Sequence, residues 1–224
     1  GNGRLRFAGD EETAALFPNS LLDTEFGLIP DGWRWGTLSD LATISKLTIN
    51  PKKSPEQSFN YYSIPAFDAG QISRITYGSD IESNKFLVED NCVLLSKLNP
   101  RINRVWCVNE LNERPSIAST EFLPWIPKDG ISIYFLYSLM KSSPFRWLME
   151  GLVTGTTGSH QRVRPNDCAT IPCIIPRIEV IQKFHDVVEA LFMHNYYHRN
   201  QIDTITKLYD TLSPKLITGE LLIA

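Results

Sequence analysis

The chain has 224 residues, 42% of them hydrophobic and 21% charged, and a formal net charge of −3. That is globular composition, enough for one large domain or a domain with an appendage. It excludes a polycation, so any nucleic-acid contact must be a local patch on a mildly acidic protein. No apolar run reaches about 18 residues, so no membrane-spanning helix is expected.

Residues 1–27 set Arg4 and Arg6 against Asp10, Glu11, Glu12, Asp23 and Glu25 without strong periodicity, and read as a leader or connector. They hold no apolar stretch of signal-peptide kind. Gly1, where a start Met would stand, is expected of a piece processed or excised from something longer, or of an added terminal residue. LIPDGW (28–33) joins the turn chemistry of Pro30, Asp31 and Gly32 to an apolar anchor, Trp33, and the main domain is placed from here to residue 176. Within it, 86–90 and 92–98 read as strands. Residues 132–143 and 143–152 read as helices, the second capped by Ser143 with Pro144 in its first turn. TIPCIIP (170–176) reads as an edge strand, because prolines punctuate it. Strands and helices mix here without a βαβ repeat. The expected fold class is therefore α+β: a globular domain with a small mixed sheet, followed by one long coiled-coil-type helix.

That helix is placed at 177–213, a stretch with no Gly and no Pro. Ile181, Phe184, Val188 and Leu191 are spaced 3, 4 and 3 apart, and so are Ile202, Ile205, Tyr209 and Leu212. This is the a/d spacing of a coiled coil, and Asn195 (an a site) and His198 (a d site) complete its register. The rod would be roughly 55 Å long and would need another helix over its seam. Pro214 is expected to break it, leaving 214–224 as a tail.

Two acid-free basic stretches carry the chemistry. LLSKLNPRINRVW (94–106) runs from a strand through an Asn99–Pro100 turn and displays Lys97, Arg101, Asn103 and Arg104. GTTGSHQRVRP (155–165) offers His160, Gln161, Arg162 and Arg164 on a backbone whose glycines allow close approach to an anion. Residues 92–164 hold nine Lys or Arg against five acids. The two loops are expected to share one face, where cations neutralise phosphates, Arg forks onto guanine, and Gln161 or Asn103 reads adenine. The stretch 151–158 lacks the lysine of a phosphate-binding P-loop. His194 and His198 stand four apart, but the HExxH glutamate position is Asn195 and further ligands are missing nearby, so no metal site is expected. There is no GxSxG elbow and no NPPY or DPPY, hence no catalytic set. Cys92, Cys107, Cys168 and Cys173 form no CxxC and are expected as free thiols in a reducing cytoplasm.

The ordered set resembles one half of the specificity subunit of Type I restriction–modification systems. Its members are LIPDGW, LLSKLNPRINRVW, ASTEF (118–122), TGTTGSHQRV, the proline-flanked IPCIIP, the long helix and LSPKLITGEL. AALFPNSLLDTEFGLIPDGW resembles the connector between the two repeats of such subunits, which implies a C-terminal half or a stand-alone half. The resemblance implies a target recognition domain over 28–176 that reads double-stranded DNA, with the helix as a spacer. It also implies a non-catalytic chain without a cofactor of its own. S-adenosylmethionine belongs to the modification (methyltransferase) subunit it recruits, and ATP with Mg to partner subunits such as the restriction subunit. The isolated half is expected to form a homodimer through its helix. The alternatives are a helix-borne scaffold whose domain binds protein, and an enzyme with an unrecognised site.

Overall fold

The computed structural model describes residues 11–25, 27–109, 113–154 and 161–220. In chain order the strands are β1 (Leu21–Thr24), β2 (Gly27–Pro30), β3 (Arg34–Thr37), β4 (Ala42–Ile44), β5 (Thr48–Ile49), β6 (Ser58–Tyr62), β7 (Arg74–Tyr77), β8 (Lys85–Leu87), β9 (Cys92–Ser96), β10 (Val105–Val108), β11 (Ser116–Ala118), β12 (Phe122–Pro127) and β13 (Pro172–Ile175). The helices are α1 (Glu11–Ala15), α2 (Leu38–Leu41), α3 (Ile64–Asp68), α4 (Ile133–Lys141), α5 (Ser143–Gly151), α6 (Pro165–Ala169) and α7 (Ile178–Ile217).

Two sheets form the body. One is antiparallel in the order β10-β9-β12-β4, and the other is mixed, β5-β8-β11-β6-β7, with β6 and β11 parallel. The central strand β9 reads CVLLS and is buried along its whole length. Alternate residues of a strand point to opposite faces. Val93 and Leu95 accordingly enter a core with Leu123, Trp125 and α4, while Cys92 and Leu94 enter a second core with Trp106, Phe122 and Phe67. A continuous apolar run, rather than an alternating one, is what a strand between two cores requires.

Two outlying ribbons tie the chain ends to this body. β13 pairs antiparallel with β3, and β1 with β2. The β1–β2 hairpin turns at Gly27, whose φ of 108° suits glycine. It straddles the expected 27/28 boundary, so residues 21–25 build structure with the domain rather than merely leading into it. Trp35 Nε1 donates to Thr24 Oγ1 at 3.0 Å, and Arg177 Nη2 donates to the Leu16 carbonyl at 2.6 Å.

Ser132 caps α4, its Oγ accepting from the Tyr134 and Phe135 amides. The cap of α5 is Ser142, not Ser143: its Oγ accepts from the Phe145 amide at 3.4 Å. Pro144 has no N–H, so the first amide a cap can satisfy belongs to Phe145, three residues after Ser142.

α7 has 40 residues, about 60 Å, and runs past Pro214 to Ile217. The proline costs one amide donor within a turn of the helix end. Thr218 N donates to the Pro214 carbonyl at 2.9 Å, and the turn closes at Gly219 with φ 75°. The seam does not project whole. Ile181 is 1% exposed, and Phe184, Val188 and Phe192 pack against the first core beside α4. The rings of Phe192 and Tyr134 lie 4.7 Å apart, and those of Phe184 and Phe135 6.3 Å. Ile181 to Phe192 is an 11-residue step, three turns of a straight helix, so Phe192 faces the domain and Leu191 rotates out to 61% exposure. Beyond this point Asn195, His198, Ile202, Ile205, Tyr209 and Leu212 are exposed.

Candidate nucleic-acid interface

The two basic loops lie side by side because their backbones are bonded. The loop between β9 and β10 carries residues 97–104. Leu98 forms an antiparallel bridge with Arg162, which also bridges Thr154. Asn99 N donates to the Gln161 carbonyl at 2.9 Å, and Val163 N to the Lys97 carbonyl at 3.0 Å. Val163 is itself a core residue, so the second loop is pinned from below as well. Residues 155–160, His160 among them, lie outside the described residues.

The side chains divide into those displayed and those engaged. Arg101 is exposed, and its Nη2 donates to Gln161 Oε1 at 3.3 Å. Arg164 is exposed at the start of α6, Lys97 and Gln161 are half-buried, and among the described residues Lys97, Arg101 and Arg164 make no ion pair. Asn103 Nδ2 donates to the Lys141 carbonyl at 2.8 Å, and Lys141 Nζ returns a bond to the Asn103 carbonyl.

Arg104 corrects the sequence reading. It is 8% exposed and grips Asp68 at the end of α3 with both Nε and Nη2 at 2.8 Å. The Arg104 hydrogen bond holds the Asp68 carboxyl below its ordinary value. Burial takes this cation from the displayed surface, and it anchors the loop to α3. Arg162 is half engaged in the same way. Its Nε and Nη2 reach both Glu121 oxygens, Nη2 at 2.9 Å from Oε1. The bonded Glu121 raises the Arg162 guanidinium further above its ordinary value.

Sequence reasoning missed Asp68, Glu121 and Lys141. Glu121 sits in the ASTEF segment, but nothing local marks it as the partner of an arginine 41 residues on. Elsewhere, burial pushes the Cys107, Cys168 and Cys173 thiols up to about 12, and Cys92 higher still, which leaves none of them a reactive thiolate. His194 and His198 face each other on exposed turns of α7, and no cluster of three metal-ligating side chains occurs among the described residues.

No family model matches the chain. The HindI specificity subunit of a Haemophilus influenzae Type I restriction enzyme is 23% identical over 226 residues, covering 96% of this chain and 49% of the relative. The chain is similar to one half of a Type I specificity subunit. The MjaIX specificity subunit of Methanocaldococcus jannaschii is 26% identical over 221 residues, covering 91% and 47%. Among solved structures, the HsdS subunit of Thermoanaerobacter tengcongensis superposes with a TM-score of 0.61 at 21% identity, over 85% of this chain and 50% of that one. A chain of a structure describing complex assembly and conformational transition of a type I R-M system gives 0.62 at 22% identity, over 87% and 50%. These likenesses establish the α+β fold with its long helix. The chain spans about half the length of the curated relatives it matches.

Proposed function

We propose that the chain is a non-catalytic, sequence-specific DNA recognition half of a Type I restriction–modification complex. Its globular part reads double-stranded DNA, and the complex directs adenine methylation and restriction through a modification and a restriction subunit. S-adenosylmethionine and ATP with Mg would be handled by those partners, and the site of action would be the cytoplasm. The observation that carries the reading is the backbone pairing of the two basic loops, which puts Lys97, Arg101 and Arg164 on adjoining segments, with no acidic partner among the described residues. The uncovered part of α7 favours pairing with a second long helix, in an isolated half that of a second copy.

The test is a DNA-binding titration of the chain assembled with its modification subunit, repeated over a range of salt. Arg101→Ala is expected to weaken binding and to flatten the salt slope by about one unit per lost phosphate contact. An unchanged slope counts against phosphate contact, and no binding to any DNA pool leaves the scaffold reading.

A further inference from the structure

We propose that Ile102 is a base-reading residue that packs on the C5 methyl group of a thymine in the major groove. The inference rests on the DNA-reading function proposed above. Ile102 is 48% exposed, between the exposed Arg101 and the half-buried Asn103. Among the described residues of the two paired loops it is the exposed large apolar side chain.

The loop holds this side chain out on a fixed frame. Asn99 adopts a left-handed φ of 48°, and Ile102 N donates to its carbonyl at 2.8 Å, closing a turn. Arg104 N donates to the Ile102 carbonyl at 2.8 Å. Directly after Ile102, Asn103 and Lys141 exchange two hydrogen bonds and Arg104 is locked to Asp68. At the base Asn99 is bonded to Gln161. Ordering this tip therefore costs little when a ligand arrives.

An isoleucine has no use against phosphate, because it can neither donate nor pair charge. A loop that only gripped the backbone would gain more from a polar tip. Most features of the base edges in the major groove are hydrogen-bonding atoms; the apolar one is the thymine methyl. A rigid apolar tip beside a phosphate-seeking Arg101 has the chemistry to select that methyl. The same tip penalises cytosine, guanine or adenine there, whose polar edges it would strip of water without replacing a bond.

The experiment first selects the preferred DNA site of the chain assembled with its modification subunit. Each thymine is then replaced singly by deoxyuridine, which removes only the methyl. One replacement is expected to weaken binding about four-fold, the value of one buried methyl group. Ile102→Ala is expected to weaken binding to the thymine site and to abolish the difference between thymine and deoxyuridine at that position. Insensitivity to every replacement, or full sensitivity retained in Ile102→Ala, overturns the inference. In that case DNA binding that still loses salt slope in Arg101→Ala shows the recognition function intact. Loss of all DNA binding by the wild-type assembly would remove both.

Discussion

At the scale of single residues, the decisive feature is that the cations of the candidate interface are not equivalent. Arg104 is a strut whose charge is neutralised in place, so Asp68→Asn is expected to act on stability. The loss is about 1–2 kcal/mol in denaturant unfolding at neutral pH, discounted because the Asp68 carboxyl is half open to water. The Asp68 carboxyl is held below its ordinary value, so this contribution is whole above about pH 4 and fades as pH falls through the lowered one. Wild type and Asp68→Asn should therefore differ at pH 7 and converge in strong acid. Glu121→Ala should do the opposite of most surface changes. It removes the acidic partner that holds Arg162, and DNA binding is expected to tighten at low salt with a slope steeper by about one unit. An unchanged slope would show that Arg162 faces no phosphate. None of this was legible in the sequence. The basic run 97–104 announces its charge, but the acid that cancels Arg104 lies 36 residues upstream in an unremarkable helix.

At the scale of elements, what could be read was what is local. The apolar run of β9, the capped pair of helices α4 and α5, and the heptad spacing of α7 all sit within short windows of sequence. Of the five-stranded sheet only β8 showed, as part of the strand expected at 86–90. Its strands run to five residues at most, β5 has only two, and its parallel pairing of β6 with β11 joins segments more than fifty residues apart. The heptad spacing leaves out the orientation of the root, because a straight helix lying on a domain follows an 11-residue stripe. Two substitutions separate these faces. Phe192→Ala is expected to cost about 2 kcal/mol in thermal or denaturant unfolding, less than a full core deletion because the ring is only half-buried. Leu191→Ala, one residue away and facing out, should shift stability by under about 0.5 kcal/mol. A larger loss at Leu191 than at Phe192 would mean that the heptad seam, not the 11-residue stripe, meets the domain.

At the scale of the whole molecule, the uncovered length of α7 is where association is expected. Ile202, Ile205, Tyr209, Leu212 and Leu216 form an exposed row that a lone chain leaves in water. Sedimentation at tens of micromolar is expected to show a dimer, and Ile205→Glu to return it to monomer without changing the unfolding of the domain. A wild-type chain that stays monomeric would assign the row to a helix from another polypeptide. The way α7 is attached has a further mechanical consequence. Its root, from Ile181 to Phe192, is wedged into the core, and outward of it Arg199 reaches Gln71 and Asp203 pairs with Arg74 at 3.3 Å. Those outer contacts are solvent-exposed polar pairs, each worth at most about 1 kcal/mol. The helix is a cantilever with a stiff root and two weak stays. From Phe192 to its tip it extends about 38 Å, so a tilt of about 5° at the root swings the far end by about 3 Å. That is close to the 3.4 Å rise of one base pair. If the chain pairs through α7 and reads DNA as proposed, Arg74 and Gln71 would thereby influence how sharply the pair tells one spacing of its two DNA sites from the next.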